Sequence, residues 1–290
     1  MKLIKYKKKI LILGSAGMLG HQLYNYLESK NYIVKGICRN NKNIPNKFFK
    51  NKKFLNLDLE KFDLLKNTIH KYRPDFIINC AGIIKQKSHL YDENKIYLIN
   101  ACLPNYLSIL SKEFRFKLIH ISTDCVYDGK KGNYKEDHII NSTDDYGLSK
   151  ALGEVYSDNC ITLRTSIIGH EFNQNNGLLE WFLKQKKVYG FKKAFFSGLT
   201  TLELSKVIEK LLKKNLNKGI YNIASKKISK YELLVLINEI YDKNILILSS
   251  NKLKINRSLN GKLFEKKTNI KISCWKKMIM DMHKYELIMK

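Results

Sequence analysis

The chain up to residue 164 alternates short apolar runs with longer stretches in which apolar residues recur at helical spacing. Short apolar runs rich in β-branched residues predict buried strands, and the amphipathic stretches between them predict helices. The predicted strands are residues 10–13, 32–38, 54–58, 76–80, 117–122 and 160–164. The predicted helices are residues 18–29, 59–71, 95–114 and 144–156.

This alternation predicts an α/β fold, a Rossmann-type doubly wound parallel sheet with helices on both faces. Beyond residue 169 the alternation changes, so we predict a Rossmann domain over residues 1–168 and a smaller C-terminal α/β lobe over residues 169–290. One strand near 219–224 is expected to return to the large sheet. The other elements predicted in this half are helices at 177–186, 202–214 and 229–241, then a tail from 245 with a short strand and a terminal helix.

Composition narrows the class of protein. The 290 residues are 44% hydrophobic and 27% charged, which supplies enough apolar material for a core. No apolar run approaches the ~20 residues that span a bilayer, and the apolar run after the basic start is too short for a signal peptide. The six cysteines are scattered singly, so neither a disulfide framework nor a metal site is expected. A cytoplasmic protein with reduced thiols fits these features.

The charge balance is strongly basic, with 53 Lys plus Arg against 26 Asp plus Glu and a net charge of +27. Only five of these cations are arginines, and the lysines are spread along the whole chain. A nucleic-acid interface concentrates its basic residues and uses Arg to recognise bases, so we do not expect a nucleic-acid partner. The excess positive charge instead favours an anionic ligand such as a nucleotide diphosphate.

A glycine-rich loop lies between the first predicted strand and the first predicted helix. Gly14, Gly17 and Gly20 are spaced as in a dinucleotide-binding fingerprint. Such glycines allow a tight turn, close approach of a pyrophosphate, and close packing of helix on strand. A glycine-rich turn without a ligand is the alternative, but the strand–loop–helix setting favours a cofactor. The predicted cofactor-binding residues here are Gly14, Ser15, Gly17, Met18 and Leu19.

The end of the second predicted strand distinguishes between nicotinamide cofactors. An acidic residue there would bind the ribose 2′-hydroxyl of NAD, but this chain has Arg39, which can pair with a 2′-phosphate. We therefore predict NADPH, with NADH as the alternative if Arg39 is an ordinary surface residue. Further cofactor contacts are predicted after the third and fourth strands, where turn chemistry is an equal alternative. These residues are Asp58, Leu59, Cys80, Ala81 and Gly82.

Three residues form a candidate catalytic set. Tyr146 and Lys150 are four residues apart on a predicted helix, hence on one face, and Thr123 follows the fifth strand. A carbonyl reductase needs a proton donor, and an adjacent ammonium would lower the phenol pKa from its usual ~10. We expect Lys150 to lower the pKa of Tyr146 and to hold the nicotinamide ribose, and Thr123 to bind the substrate carbonyl. The Tyr–Lys spacing alone is common in a chain rich in both residues, whereas the ordered combination with the glycine loop is specific.

These motifs together resemble the extended short-chain dehydrogenase/reductase family, in particular the dTDP-4-dehydrorhamnose reductase-like sugar-nucleotide reductases. The resemblance covers nearly the whole chain and implies NAD(P)H-dependent reduction of a nucleotide-diphosphate 4-keto-6-deoxy sugar for surface polysaccharide (O-antigen or capsule) precursors. It gives Thr123, Tyr146 and Lys150 the roles stated above. The matching segments are residues 14–21, 79–86, 120–127, 146–150, 163–169, 196–201 and 256–259.

Other activities within this superfamily stay open to different degrees. Sugar-nucleotide dehydratases carry a Thr-Asp-Glu run, and Cys125 replaces the glutamate here, which argues against dehydration. Cys125 stands where the similar GDP-fucose synthase has an epimerising cysteine, so a bifunctional epimerase/reductase is the first alternative. It would need a second acid such as His170, which the sequence does not place opposite Cys125. A non-catalytic, cofactor-sensing Rossmann protein is the second alternative.

Substrate-binding residues are expected in the cleft between the lobes. Arg257 is the strongest candidate for the diphosphate, because a guanidinium matches phosphate geometry. Lys85 is a weaker candidate for sugar or phosphate. Trp181 is a candidate for stacking, although its place on an amphipathic helix favours the core. Some members of the resembled family are dimers, so a homodimer is expected, but no pattern in the sequence defines an interface.

Overall fold

The computed structural model describes residues 7–39, 54–171 and 177–289. The strands of the first half are β1 (Lys9–Leu13), β2 (Ile33–Cys38), β3 (Phe54–Asn56), β4 (Phe76–Asn79), β5 (Lys117–Thr123), β6 (Cys160–Thr165) and β7 (Ile167–Ile168). Those of the second half are β8 (Lys187–Phe191), β9 (Ala194–Phe196), β10 (Leu199–Thr200), β11 (Lys218–Asn222), β12 (Ile228–Ser229), β13 (Leu246–Ser250) and β14 (Ile255–Asn256). The α-helices are α1 (Met18–Ser29), α2 (Phe62–Tyr72), α3 (Glu93–Tyr97), α4 (Leu103–Phe114), α5 (Asp145–Leu152), α6 (Leu178–Leu183), α7 (Thr201–Leu211), α8 (Lys230–Ile240), α9 (Lys262–Thr268) and α10 (Trp275–Met289).

Seven strands form one parallel sheet in the order β11-β6-β5-β4-β1-β2-β3. The order reverses between β1 and β4, and ligands of such sheets bind beyond the carboxyl ends of the strands at that point. The predicted Rossmann-type sheet is confirmed. The strand predicted near 219–224 is β11, which lies beside β6 at the edge of the sheet.

Both faces of the sheet are buried, which explains why β1 is apolar at successive positions. Ile10 and Ile12 face a core that includes α1, α7, α8 and α10, whereas Leu11 and Leu13 face a second core with α2 and α4. Side chains alternate across a strand, so a strand covered on both sides needs apolar residues throughout. The first core is continuous from the sheet into the C-terminal half, which joins the two parts of the chain through shared packing.

The C-terminal half contains more strands than the sequence pattern predicted. β8 pairs with β13 in parallel, β9 pairs with both β12 and β14, and β10 pairs with β7. β7 follows the carboxyl end of β6 and β12 follows that of β11, and β12 and β14 lead into Lys230 and Arg257. The predicted helix at 177–186 is therefore too long, because the chain leaves α6 and enters β8.

Two helices of the first half also differ from the prediction. The predicted helix 95–114 is divided into α3, a π-helical turn at Leu98–Cys102, and α4. The predicted helix 144–156 ends at Leu152, because Gly153 packs against the Asn100 carbonyl, where a Cβ would come within 2.0 Å. Both differences go with contacts to other parts of the chain, and the spacing of apolar residues in the sequence does not predict such contacts.

In the described ranges no helix combines the length and apolarity that a membrane span requires. All six cysteines are free thiols.

Candidate active site

The glycine-rich turn between β1 and α1 has the shape that a dinucleotide needs. Gly14 has a φ of +73°, a conformation that residues with a Cβ rarely adopt. Gly20 packs so closely that an added Cβ would lie 2.1 Å from the Gly14 carbonyl oxygen. Exposed Gly17 precedes α1 without a side-chain cap, so the first N–H groups of the helix have no intrahelical partner. The turn therefore fits a pyrophosphate.

The other predicted residues of this turn support its backbone. The Ser15 hydroxyl donates to the Ile37 carbonyl oxygen at 3.0 Å and ties the turn to β2. The Leu19 side chain is buried in the core, and the half-buried Met18 lies beside Gly177. These residues could therefore hold a phosphate through backbone N–H groups, and their role in binding stays a prediction.

Arg39 lies at the carboxyl end of β2 with its side chain 49% exposed, and its Nη1 is 3.7 Å from Glu60 Oε1. Lys95 Nζ pairs with the same oxygen more closely, at 2.5 Å. Asp58 and Leu59 follow β3 at the same edge, where Asp58 Oδ1 accepts from the Glu60 N–H at 3.2 Å. The Arg39 guanidinium is thus accessible and only loosely paired, as binding of a 2′-phosphate requires.

The turn after β4 packs against the glycine turn, and the strip that runs from Gly14 past Ala81 and Gly82 to Lys150 is called the groove below. The Ala81 Cα lies 2.8 Å from the position that a Cβ on Gly14 would take. The equivalent position on Gly82 is 4.0 Å from Lys150 Nζ. Burial raises the pKa of the Cys80 thiol to about 12, so the thiol stays protonated. Ala81 and Gly82 therefore connect the glycine turn with Lys150, and their contacts with a cofactor stay a prediction.

Thr123, Tyr146 and Lys150 meet at the inner end of this groove. Thr123 ends β5, and the other two lie one turn apart on α5, whose first turn is capped by the Asp144 side chain. The Tyr146 phenol is hydrogen-bonded to Thr123. Lys150 Nζ donates to the Ile121 carbonyl oxygen at 2.6 Å. The structure therefore brings the three residues together, and their catalytic roles stay a prediction.

The electrostatics correct one expectation. Burial raises the pKa of the Tyr146 phenol, Cys125 adds to the rise, and the Thr123 hydroxyl opposes it. Lys150 is turned towards the Ile121 carbonyl and the His120 ring (3.4 Å) and does not lower the pKa of Tyr146. The predicted lowering of the Tyr146 pKa by Lys150 is therefore wrong in this structure. A phenol that holds its proton is nevertheless suited to donate one during reduction.

Two predicted cations border the catalytic residues on the substrate side. Arg257 Nε donates to the Tyr127 carbonyl oxygen at 3.1 Å. Burial raises the pKa of the Asp124 carboxyl, and the Arg257 charge partly opposes that rise. Lys85 Nζ pairs with Asp144 Oδ2 at 2.6 Å, at the start of α5. Arg257 and Lys85 thus lie where an anionic substrate would enter, and their contacts with it stay a prediction.

Trp181 lies on α6 with 42% of its surface exposed. A core position, which its helix pattern favoured, is therefore wrong. Its exposed ring could stack on a ligand, and that role stays a prediction.

The candidate pair for epimerisation is not assembled. Burial raises the pKa of the Cys125 thiol to about 12, which disfavours a thiolate base. His170 is instead held by Glu180 (2.8 Å), Tyr241 (2.9 Å) and Glu286 (3.0 Å). These partners occupy both ring nitrogens, which leaves His170 without a free nitrogen to face Cys125. Across the three described ranges, no group of three His, Cys, Asp or Glu residues is arranged to hold a metal ion.

Comparison with known proteins adds to this geometry. The family model described as the RmlD substrate binding domain matches residues 8–284. The chain belongs to the RmlD family. This confirms the family predicted from the motifs and places nearly the whole described chain inside one family unit.

Individual relatives of this RmlD-family chain agree with the match. A dTDP-4-dehydrorhamnose reductase from Aggregatibacter actinomycetemcomitans is 31% identical over 173 residues, 58% of this chain but only 54% of the relative. The spore coat polysaccharide biosynthesis protein SpsK of Bacillus subtilis (strain 168) is 27% identical over 80% of this chain and 78% of the relative. A crystal structure of dTDP-4-dehydrorhamnose reductase from Bacillus anthracis str. Ames in complex with NADP superposes with a TM-score of 0.80, covering 97% of this chain and 100% of that chain at 20% identity. The last similarity confirms the fold.

Asn100 is a residue of the candidate site that sequence reasoning missed. It lies in the π-helical turn, a distortion that often marks functional positions. Its amide accepts from the Ile83 N–H at 2.8 Å and donates to the Ile83 carbonyl at 3.0 Å and to Ser149 Oγ at 3.1 Å. Asn100 therefore fixes the turn after β4 against α5, the two walls that meet at Lys150. The signal that marks Asn100 is the distortion of the helix, and the sequence pattern alone did not reveal that distortion.

Lys230 is the second missed residue. It begins α8 and acts electrostatically on Asp124 and Cys125, next to Thr123. Burial lowers the pKa of its ammonium group. In a chain with so many lysines, nothing in the sequence separates this lysine from those on solvated faces.

Proposed function

We propose that this chain is an NADPH-dependent reductase of the 4-keto group of a nucleotide-diphosphate 4-keto-6-deoxy sugar, acting in the supply of bacterial surface polysaccharide precursors. One observation carries the proposal: Thr123, Tyr146 and Lys150 meet at the inner end of a groove that begins at the glycine turn. The names of the two curated relatives support a dTDP-sugar substrate and a role in polysaccharide synthesis. The NADP in the similar crystal structure supports the cofactor.

The chain's residues divide the chemistry between them. Bound NADPH would supply the hydride to the keto carbon. Tyr146 donates the proton to the developing alkoxide, and the Thr123 hydroxyl orients the same oxygen beside the phenol. Lys150 holds the nicotinamide ribose hydroxyls through its ammonium group. The backbone N–H groups at the start of α1 bind the pyrophosphate, and Arg257 with Lys85 binds the substrate diphosphate.

The test is NADPH oxidation against a panel of dTDP-, UDP- and GDP-linked 4-keto-6-deoxy sugars, with the products identified by NMR. Conversion of the ketone to a secondary alcohol with matching loss of NADPH is expected for at least one member. Loss of NADPH with an inverted neighbouring centre in the product would instead favour the epimerase/reductase. Cofactor binding without turnover of any member would favour a cofactor-sensing protein.

Replacing Arg39 with Ala is expected to weaken NADPH binding about tenfold or more, because a guanidinium–phosphate pair is lost. NADH affinity should stay the same, since NADH has no 2′-phosphate. Titration of both cofactors by protein fluorescence measures the two effects, and NADH serves as the internal control. An unchanged preference for NADPH would remove Arg39 from the cofactor site.

Burial lowers the pKa of Lys150 to about 8, so its charge is lost as the pH rises through that value. The pKa of Tyr146 is raised, so the phenol stays protonated over the same interval. We therefore expect kcat and cofactor affinity to fall together above about pH 8. Lys150→Arg keeps its charge and should lose the alkaline decline, measured as kcat against pH. A decline of the same shape in both proteins would assign it to another group.

Two further properties belong to this proposal. A cytoplasmic location follows from free thiols and a nucleotide-linked substrate. A homodimer is proposed by resemblance to dimeric members of the short-chain dehydrogenase/reductase family, and light scattering decides it.

A further inference from the structure

Lys230 has an unusual environment for a lysine. It begins α8, whose start is fixed by a capping box between Ser229 and Glu232. Its Nζ lies 4.3 Å from the centre of the Phe196 ring. Among the described residues its ammonium group has no hydrogen-bond acceptor and no carboxylate within ion-pair distance, although burial lowers its pKa. The Phe196 ring is thus its neighbour in a cation–π contact, but a shielded ammonium without a carboxylate or other acceptor is costly, and folded proteins normally pair such groups.

The groups that Lys230 faces belong to the substrate side of the site. Its charge acts on Asp124 and Cys125, and Arg257 acts on the same two residues. Arg257 uses only its Nε within the described chain, donating to the Tyr127 carbonyl, so its two Nη groups stay available. The Arg257 backbone N–H also donates to the Phe195 carbonyl oxygen at 3.1 Å, next to the Phe196 ring under Lys230. Two cations from the C-terminal half therefore lie against the same strand, β9, and both act on the end of β5 that carries Thr123.

The local charge does not balance. Even with Asp124 ionised, Lys230 and Arg257 leave one positive charge in excess. Lys85 does not change this balance, because its ammonium is paired with Asp144 at 2.6 Å. A half-buried site with uncompensated positive charge complements an anionic ligand, and a diphosphate supplies two negative charges.

We propose that Lys230 is a substrate-binding residue that pairs, together with Arg257, with the diphosphate of the nucleotide sugar. This inference rests on the proposed reductase function, because it assumes a nucleotide-diphosphate substrate. In this proposal Lys230 binds the phosphate oxygens of the substrate and takes no part in the proton transfer from Tyr146. An ammonium with no carboxylate or other acceptor in the described chain is then a stability cost that substrate binding relieves.

The test compares Lys230→Met with Lys227→Met. Methionine keeps an unbranched stem against Phe196 and removes the charge. Lys227 is a matched control, because it lies over the neighbouring Phe195 ring at 4.8 Å but is exposed. Calorimetry on NADPH-saturated protein measures the affinities for dTDP, UDP and GDP, and for thymidine, which lacks phosphate. Thermal unfolding of each variant is recorded alongside.

Lys230→Met is expected to weaken the best-bound nucleoside diphosphate about tenfold or more, with thymidine and NADPH affinities unchanged. Its midpoint of unfolding should equal or exceed that of the parent, since an unpaired shielded charge is removed. Lys227→Met should match the parent in every measurement. Unchanged diphosphate affinity in Lys230→Met, equal losses for thymidine and NADPH, or a parent protein that binds none of the three diphosphates would each overturn the proposal. Diphosphate binding that depends on Lys230, with no turnover of any 4-keto sugar, would reject the proposed function and leave this site standing.

Discussion

Replacing Tyr146 with Phe is expected to lower kcat for keto reduction by about 10²–10⁴-fold, the usual contribution of a positioned general acid. The change deletes one oxygen from a half-buried ring that is hydrogen-bonded to Thr123, so the site keeps its shape. NADPH affinity should change little, because the proposed phosphate-binding residues lie at the other end of the groove. Stopped-flow reduction of the accepted sugar, with NADPH affinity measured separately, checks both expectations.

Tyr156→Phe is the control for this experiment. Tyr156 follows α5 at the surface, with its ring 66% exposed and 4.8 Å from Lys218 Nζ. Removal of its hydroxyl should leave kcat unaffected. A Tyr146→Phe protein with near-parental turnover would show that another group supplies the proton.

The second large effect is expected on stability, from Glu154→Ala. The Glu154 carboxylate receives Arg164 Nε at 2.8 Å, Arg164 Nη2 at 2.7 Å and Ser122 Oγ at 2.7 Å, and both side chains of the pair are nearly fully buried. Removal of the carboxylate leaves the guanidinium buried and uncompensated. We expect the free energy of unfolding to fall by about 3–5 kcal/mol, measured by urea denaturation.

Two comparisons make this prediction specific. Replacing Glu154 and Arg164 together with Met should destabilise less than Glu154→Ala, because no buried charge is left alone. Glu113→Ala removes the partner of Lys66 in an exposed pair and should leave stability unchanged. If Glu154→Ala were no worse than Glu113→Ala, the buried pair would not stabilise the fold. A loss of activity that follows the loss of folded protein would mark Glu154 as structural.

The first half of the fold was predictable because its signals are local. The apolar run 10–13 and the glycine turn at Gly14 specify a strand, a turn and a helix from neighbouring residues alone. β8 was missed although residues 187–191 alternate between exposed and buried positions, as a half-covered strand does. Which of these positions are exposed depends on the packing of β8 against β13 and α8, so the alternation could not be seen in the sequence.

The candidate site was also predictable where its signals are local, and it was not predictable where they depend on tertiary packing. The spacing of Tyr146 and Lys150 on one helix face is local, and their meeting with Thr123 follows from the order of parallel strands. The direction of the Lys150 ammonium depends on the Ile121 carbonyl, which lies on another strand, so the sequence could not supply it. Lys230 reaches the site from the far half of the chain, and only tertiary packing brings it there.

The position of β11 has a consequence for the division of the chain into lobes. This strand pairs with β6 from Lys218↔Cys160 to Asn222↔Arg164, although α6 and α7 intervene in sequence. A polypeptide stopped at residue 168 would therefore present the open rim of β6, with unsatisfied amide and carbonyl groups ready to recruit a foreign strand. The first half therefore depends on a strand of the later half to cover this edge, so a fragment that ends at residue 168 would not be an autonomous module for engineering.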